Sequence, residues 1–457
     1  MMGERTVMQE PLFYSFSVER HVPADHLLRS IDRFVDLSAI REQLRPYYSE
    51  MGRPSIDPEL MIRMLIVGYC MGIRSERRLC DEVHLNLAYR WFCRLGLDGD
   101  VPDHSTFSKT RHGRFRDSDL LRQLFEATVR RCITEGLVGG DGFAVDASLI
   151  RAEANRQRFH SGEEGLSSDL SSRAIDEYLA TLDDAAFGAA TPVVPSRLSP
   201  SDPASRYTSA HGGKAEFCYA TNYLIDVENA VIVDVEASTA VRQAEVTAAR
   251  RMIDRVQNDL GIWPRKLIAD TGYGSAEMLA WLVHERDIEP HIPVFDKSGR
   301  ADGALARSDF AYDTRQDHYA CPAGKLLKRG RPRGGDPDQP HADGFFRYRA
   351  SKLDCDPCAL KPRCCPGADP RKIPRSIHEG ARDLARAIAQ EDEWIASRRE
   401  RKKVEMLFAH LKRILKLDRL RLRGPNGARD EFHLAAAAQN LRKLAKLIPM
   451  PTQAVPA

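Results

Sequence analysis

Three acidic residues stand where a carboxylate could do chemistry. Asp146 ends the apolar run Phe143-Ala144-Val145, and Asp270 ends Lys266-Leu267-Ile268-Ala269. Glu405 lies inside a cationic run, Arg398-Arg399-Glu400-Arg401-Lys402-Lys403-Val404-Glu405. A strand end holds a side chain on a rigid scaffold yet lets it reach a cleft. Taken singly, each aspartate is equally well a turn or cap residue. Glu405 is equally well half of a surface ion pair worth about 0.3–0.5 kcal/mol. Taken together, three converging carboxylates repel one another, and Mg2+ or Mn2+ relieves that repulsion through hard oxygen ligands. Two such ions about 3.5–4 Å apart activate an attacking hydroxyl and stabilise the leaving oxygen in phosphodiester displacement.

The surroundings of Glu405 favour a polyanion. At about 100° per residue on a helix, Arg401, Glu405 and Lys412 share one face. Val404, Leu407, Leu411 and Leu415 form an adjacent apolar stripe that can be buried against a sheet. From Arg398 to Arg423 there are eleven Lys/Arg against Glu400, Glu405 and Asp418. The whole chain is only +3, so it is this local strip that suits a phosphate backbone. Further cations (Arg74, Arg77, Arg78, Arg90, Lys109, Arg111, His112, Arg114) lie in the N-terminal region. The 105–115 segment, opened by Asp103-His104-Ser105-Thr106, could be a recognition helix placing Lys109 and Arg111 on DNA. An amphipathic bundle used for dimerisation is the alternative.

Of ten cysteines, five are scattered and five bunch between Cys321 and Cys365. With no signal-peptide stretch at the start, bunched cysteines suggest metal before disulfides. Tetrahedral zinc needs four thiolates or imidazoles. The set is Cys321, Cys355, Cys358 and Cys364, with Cys365 as substitute; reduced cysteines without metal are the alternative. Lys328-Arg329-Gly330-Arg331-Pro332-Arg333 between them is either a basic surface loop or an A·T minor-groove ligand.

These residues must be positioned by three kinds of region. Residues 15–136 read as helical: Asp57-Pro58 starts one helix, Ser75 another, and a last one spans roughly 117–136. After the hinge Gly139-Gly140-Asp141-Gly142 come a short buried strand at 143–146, a polar helical stretch at 150–183 and a Pro/Ala/Ser-rich linker or loop at 184–205. A hairpin follows, 216–227 and 231–237, with its turn at Glu228-Asn229. Next are a helix at 242–259, a strand at 266–270, a helix at 275–286 and a strand at 291–294. Asp226 and Asp234 alternate along the hairpin and read as solvent-facing or paired. Residues 295–375 read as irregular, and helices resume from about 380 to 447. The fold class is therefore α/β, a mixed sheet with flanking helices, an all-α N-terminal domain and a small cysteine-rich insertion. The domain bounds are 10–136, then 140–294 with 376–447, and the insertion 295–375.

Asp146 on a first strand, Asp270-Thr271-Gly272-Tyr273 after a later one, and Arg401-x3-Glu405-x6-Lys412 on a late helix resemble the DDE transposases of bacterial insertion sequences. Residues 10–115, with Leu12-Phe13-Tyr14, Gly52-Arg53-Pro54 and Asp103-His104-Ser105-Thr106, are similar to the helical N-terminal domain of that family. The resemblance implies an RNase H-like catalytic domain in which Asp146, Asp270 and Glu405 bind two divalent metals. It implies that Gly272, Tyr273, Arg401 and Lys412 lie along the DNA. The family often has a tyrosine three residues before the arginine, where this chain has Arg398. The implied reaction is cleavage at the element's inverted-repeat ends and strand transfer into target DNA, by a homodimer or larger assembly on double-stranded DNA. Two alternatives remain open at this point: a catalytically inactive DNA-binding relative, and a metal-dependent nuclease that cuts without joining. No apolar run reaches the roughly 18–20 residues of a membrane span, and the expected location is the bacterial cytoplasm, at the nucleoid. No phosphate-binding glycine loop or serine-nucleophile elbow is evident.

Overall fold

The computed structural model describes residues 16–49, 51, 55–116, 118–167, 169–209, 213–295, 304–330, 336, 338–367 and 369–450. Leu12-Phe13-Tyr14, Gly52-Arg53-Pro54 and Arg331–Gly335 lie outside these residues.

Along the chain the elements that matter here are helices α1 (Pro58–Cys70), α2 (Glu76–Leu85), α3 (His104–Thr110) and α4 (Leu120–Thr134), then strand β1 (Gly142–Arg151) and helix α5 (Arg173–Ala180). Strands β2 (Arg206–Thr208), β3 (Glu216–Asp226) and β4 (Val231–Thr239), helix α6 (Arg242–Leu260), strand β5 (Lys266–Ile268), helix α7 (Ala276–Ala280) and strand β6 (Glu289–His291) follow. The cysteine-rich segment carries β7 (Ala311–Asp313), β8 (His318–Ala320), β9 (Leu326–Arg329), β10 (Phe345–Arg349) and β11 (Lys372–Ser376). Helices α8 (Glu379–Ile388), α9 (Asp392–Arg413) and α10 (Gly424–Leu447) close the chain.

By internal contacts the chain forms two units, and their boundaries differ from the expected domain division. The first contains residues 1–139, 146–262 and 403–457. Its helices start where the capping chemistry says they should. Asp57 accepts from the amides of Glu59 and Leu60, with Pro58 in the first turn, and Ser75 accepts from Arg78 N. Strands β3 and β4 form the expected antiparallel hairpin, and β2 pairs with the first residues of β3, Glu216 to Cys218. Every residue of β4 is buried, Asp234 and Glu236 included. Asp234 answers for its burial with Arg122 at 2.5 Å and Arg255 at 2.8 Å. Helix α10 packs on α4, α1 and β4, and its run Ala435–Ala438 is buried, the small side chains letting backbones approach.

One expectation fails in this unit. Among the described residues between 150 and 183 only Arg173–Ala180 is helical; the rest is strand, turn and loop. Of the two readings of 184–205, the structure shows a packed loop and not a linker: Ala186, Phe187, Ser199, Asp202, Ala204 and Ser205 are buried. Prolines and serines ended the regular elements there without exposing the chain, because Phe187 and Ala186 supply apolar anchors.

The second unit contains residues 140–145 and 263–402. The start of β1 pairs in parallel with β5, Gly142 to Lys266 and Ala144 to Ile268, and β5 pairs in parallel with β6. Helix α8 packs on α7 and β6. The segment read as irregular is in fact an antiparallel sheet in the order β11-β10-β9-β8-β7. It has its own small core of Phe310, Tyr319, Leu327, Tyr348, Ala350 and Ile373. Strands of three to five residues are too short to show an alternating pattern, which is why the sequence conceals them.

Candidate active site

Asp146 sits where β1 leaves the core. Phe143, Ala144 and Val145 are buried, and from Asp146 to Leu149 the strand is half-buried. The Asp146 carboxylate accepts the amide of Ala147 at 2.8 Å, which fixes its rotamer. In the first unit this strand continues to Arg151, and Ala152 N donates to Phe217 O of β3.

Asp270 lies in the second unit, two residues past β5, half-buried at the start of the short turn Thr271–Tyr273. Its Oδ1 accepts the amide of Gly272 at 2.7 Å. Tyr273 is buried. Gly274 is a glycine by necessity: a Cβ there would collide with the carbonyl oxygen of Pro293, and Gly274 O already accepts Phe295 N at 2.8 Å. The Asp-Thr-Gly-Tyr-Gly run is thus a tight turn that presents a carboxylate.

Helix α9 carries Glu405. In the first unit Val404, Leu407, Leu411 and Leu415 are buried as the apolar stripe requires, and Phe408 meets Tyr223 of β3 at 5.6 Å between ring centroids. Lys403 donates to Val227 O at 2.7 Å, at the hairpin turn. Lys412 donates to Leu149 O of β1 at 3.2 Å, and burial lowers the pKa of its ammonium. Glu405 itself is exposed and makes no hydrogen bond or ion pair among the described residues. In the second unit the earlier residues of α9 are held by charge. Glu393 meets Arg265 at 2.6 Å and Lys266 at 3.1 Å, and Ser397 Oγ lies 2.9 Å from His291 Nδ1. The hydrogen bonds from Arg265 and Lys266 hold the Glu393 carboxyl at about 2. Arg401 is half-buried, and its Nε has no hydrogen-bond partner among the described residues.

Among the described residues, one set of three metal-ligating groups brings its donor atoms within 4.8 Å of one another: Glu289, His291 and Glu393. The sequence reading passed over it. Arg265 and Lys266 already neutralise these acids, Arg265 meeting Glu289 at 2.5 Å, so the set works as an ion-pair network under α9. Burial lowers the pKa of His291.

The N-terminal cations divide. Lys109 on α3 is exposed. Arg111 is buried, paired with Glu76 at 3.0 Å and donating to Tyr69 Oη at 2.9 Å. Its guanidinium therefore has a task inside the helical core. Cys321, Cys355, Cys358, Cys364 and Cys365 all line one cavity of about 30 Å3. Lys325 N donates to Cys321 Sγ at 3.3 Å. Burial pushes the Cys364 thiol up to about 11 and raises Cys355 as well.

Comparison with known families completes the identification. Residues 16–113 match the family described as Transposase domain (DUF772), and residues 139–441 match the family described as Transposase DDE domain. The second match defines a class, the metal-dependent DNA-processing enzymes with an RNase H-like fold, and it covers about two-thirds of the chain. The chain belongs to the DDE transposases of insertion sequences, enzymes that use divalent metal and act on DNA. No helix among the described residues is long and apolar enough to cross a membrane.

Proposed function

We propose that Asp146, Asp270 and Glu405 are the metal-binding carboxylates of this transposase, that the metal is a pair of Mg2+ or Mn2+ ions, and that the substrates are the element's terminal inverted repeats and a target duplex. The observation that carries this reading is Glu405. An exposed glutamate in a stretch of eleven Lys/Arg gains a few tenths of a kcal/mol from any local ion pair, yet it forms none among the described residues. It is held open on a helix whose other face is locked in the core. The donor set fits the metals: three carboxylates supply hard oxygens, two of them half-buried, Asp146 midway along β1 and Asp270 just past β5, and each fixed by a backbone amide. When bound, the ions supply Lewis acidity and a lowered pKa of water.

The chain's own residues then align the reacting strand. Arg401 and Lys412, with the Gly272-Tyr273 turn, line the DNA path, and the exposed Lys109 on α3, which Arg111 supports from within, contacts the element end. In the first step the oxygen of water bonds to phosphorus and the bond to the 3′-oxygen breaks, freeing a 3′-hydroxyl. In the second that hydroxyl bonds to a target phosphorus and displaces the target's own 3′-oxygen. Residues 10–136 serve end binding, and 140–294 with 376–447 serve catalysis. Within 295–375, Cys321, Cys355, Cys358 and Cys364 hold a structural Zn2+, with Cys365 as substitute; the common cavity and the amide on Cys321 Sγ support this, since amide donors stabilise thiolates. Two DNA ends must be paired, so the working form is a homodimer or larger on DNA, in the cytoplasm at the nucleoid.

The test is cleavage of a labelled duplex carrying the inverted repeats that flank this gene, with Mg2+, Mn2+ or EDTA, for wild type and Glu405→Gln. Metal-dependent nicks at the repeat ends, joined products with added target, and loss of both in the variant are expected. Full cleavage by Glu405→Gln removes Glu405 from the site, and cutting without joining leaves a nuclease.

A further inference from the structure

A cleft of about 660 Å3 in the first unit lies apart from the carboxylates above. Its wall contains Arg116, Arg173, Arg421 and Arg423, with His112 and a single carboxylate, Glu153. Each guanidinium arrives from a fixed place. Arg116 follows α3 and its wide terminal turn; it pairs with Glu177 at 2.8 Å, while its buried Nε has no hydrogen-bond partner among the described residues. Arg173 opens α5 and meets Glu177 at 3.0 Å. Arg423 donates to Glu153 O at 3.1 Å. Arg421 is exposed, and its side chain makes no hydrogen bond or ion pair among the described residues. Its backbone is nevertheless rigid, because the amides of Arg421 and Leu422 both donate to the buried carboxylate of Glu431 at 2.5 Å. Glu153 is itself met by Arg419 at 3.0 Å, so the wall carries a clear excess of positive charge. Guanidiniums in a fixed, open, polar cleft are suited to phosphate oxygens, which they bind in a fork.

The position of the cleft gives its place along the substrate. Glu153 lies seven residues beyond Asp146 on a chain that runs as strand to Arg151. At a strand rise of ~3.3 Å per residue that is at most about 23 Å. On duplex DNA, at ~3.4 Å per step, this is at most about seven base pairs. We infer that the cleft of Arg116, Arg173, Arg421 and Arg423 is a second DNA site, which grips the phosphodiester backbone within about seven base pairs of the scissile phosphate. The distance rests on Asp146 belonging to the catalytic set; the phosphate chemistry of the cleft does not.

The experiment reads binding without cleavage. Affinity for a 32-bp duplex (about three helical turns at ~3.4 Å per step) carrying one inverted repeat is measured in EDTA as a function of salt, for wild type, Arg421→Ala, Arg421→Lys, Arg173→Ala and Arg315→Ala. Arg315 is exposed in the cysteine-rich segment, outside the cleft, and serves as the control. Each lost phosphate contact lowers the slope of log K against log salt by ~0.9. Arg421→Ala and Arg173→Ala should each lose about that much slope and bind several-fold more weakly at moderate salt. Arg421→Lys should recover most of it, and Arg315→Ala should match wild type. A scan of methylphosphonate substitutions should then weaken wild type most within about seven steps of the cleavage point and leave Arg421→Ala unaffected there. Unchanged slope and affinity in both alanine variants, in protein that binds and cuts normally, would overturn the cleft while sparing the catalytic assignment. Interference confined to other steps would overturn the placement. Wild type that binds no duplex would overturn this inference and the transposase reading together.

Discussion

Glu431 is the residue on which the first unit's polar interior turns. It lies on α10, fully buried, and four groups converge on its two oxygens. Oε1 accepts the amides of Arg421 and Leu422 at 2.5 Å, and Oε2 takes the Arg74 guanidinium and lies 3.5 Å from Tyr69 Oη. Arg74 is 5% exposed, stacks over the Tyr69 ring at 4.0 Å, and has no hydrogen-bond partner at Nε or Nη1 among the described residues. Glu431→Ala would leave that cation buried and uncompensated, at a cost of about 3–5 kcal/mol. The two orphaned amides add to this what water in the new cavity does not recover. The unit holds about 310 residues, and unfolding entropy near ~2.1 cal/mol/K per residue gives ~0.65 kcal/mol/K. A loss of about 4 kcal/mol therefore lowers Tm by about 6 °C. Glu431→Gln keeps an acceptor for the two amides and removes only the charge, so its Tm should fall between wild type and the alanine variant. Calorimetry of the three proteins decides. An alanine variant within 2 °C of wild type (about 1 kcal/mol on this scale) would refute the accounting. A glutamine variant as damaged as alanine would show that the charge pair carries everything and the clamp on the Arg421 loop nothing.

Two further outcomes follow from the buried groups. Asp202 is fully buried, and burial pushes its carboxyl up to about 7, although Tyr219 Oη and the amide of Gly424 donate to it. The folded state thus holds this proton more tightly than the unfolded chain. The stability it contributes is complete below about pH 4, drains away as pH rises to about 7, and changes by about 4 kcal/mol in all. Asp202→Asn should abolish that slope, matching wild type near pH 4 and exceeding it at pH 8 in calorimetry. For the cysteine cavity, purified protein should carry one zinc per chain by elemental analysis, and Cys358→Ser should lower both zinc content and Tm; metal-free wild type of unchanged Tm would sink the zinc assignment.

What the sequence revealed and concealed follows from the range of the interactions involved. Asp57-Pro58, Ser75 and the Glu228-Asn229 turn are set by neighbours within four residues, so their elements were legible. So was the Val404-Leu407-Leu411-Leu415 stripe, whose period alone demands a buried face. Arg111 was read as a surface cation because its residue type is usually exposed, and nothing local announces that Glu76, 35 residues earlier, neutralises it inside the core. The arginine cleft was concealed for the same reason. Its four guanidiniums come from three segments of the chain, and only Arg421 and Arg423 lay in a stretch whose charge density drew attention. The three- to five-residue strands of the cysteine-rich segment were missed because a period of two needs more residues than they have.

The cations around Glu405 show how a basic helix can present a carboxylate without quenching it. Lys403 and Lys412 flank that residue on α9, and a solvated helix would let such ammonium groups pair with any acid in reach. Here both are drawn onto backbone carbonyls, Lys403 to Val227 at the hairpin turn and Lys412 to Leu149 on β1. These bonds have two consequences. They fix the helix against the sheet three residues from Asp146, so the register between the strand that carries Asp146 and the helix that carries Glu405 is set by Lys412. They also commit these two ammonium groups to neutral acceptors, so neither is drawn onto Glu405, which stays exposed. An ammonium has three donors, so the bond to Leu149 leaves Lys412 two more for a phosphate oxygen. On the proposed assignment the same lysine holds the scaffold and faces the substrate, and the spacing from Arg401 through Glu405 to Lys412 suits a helix that does both.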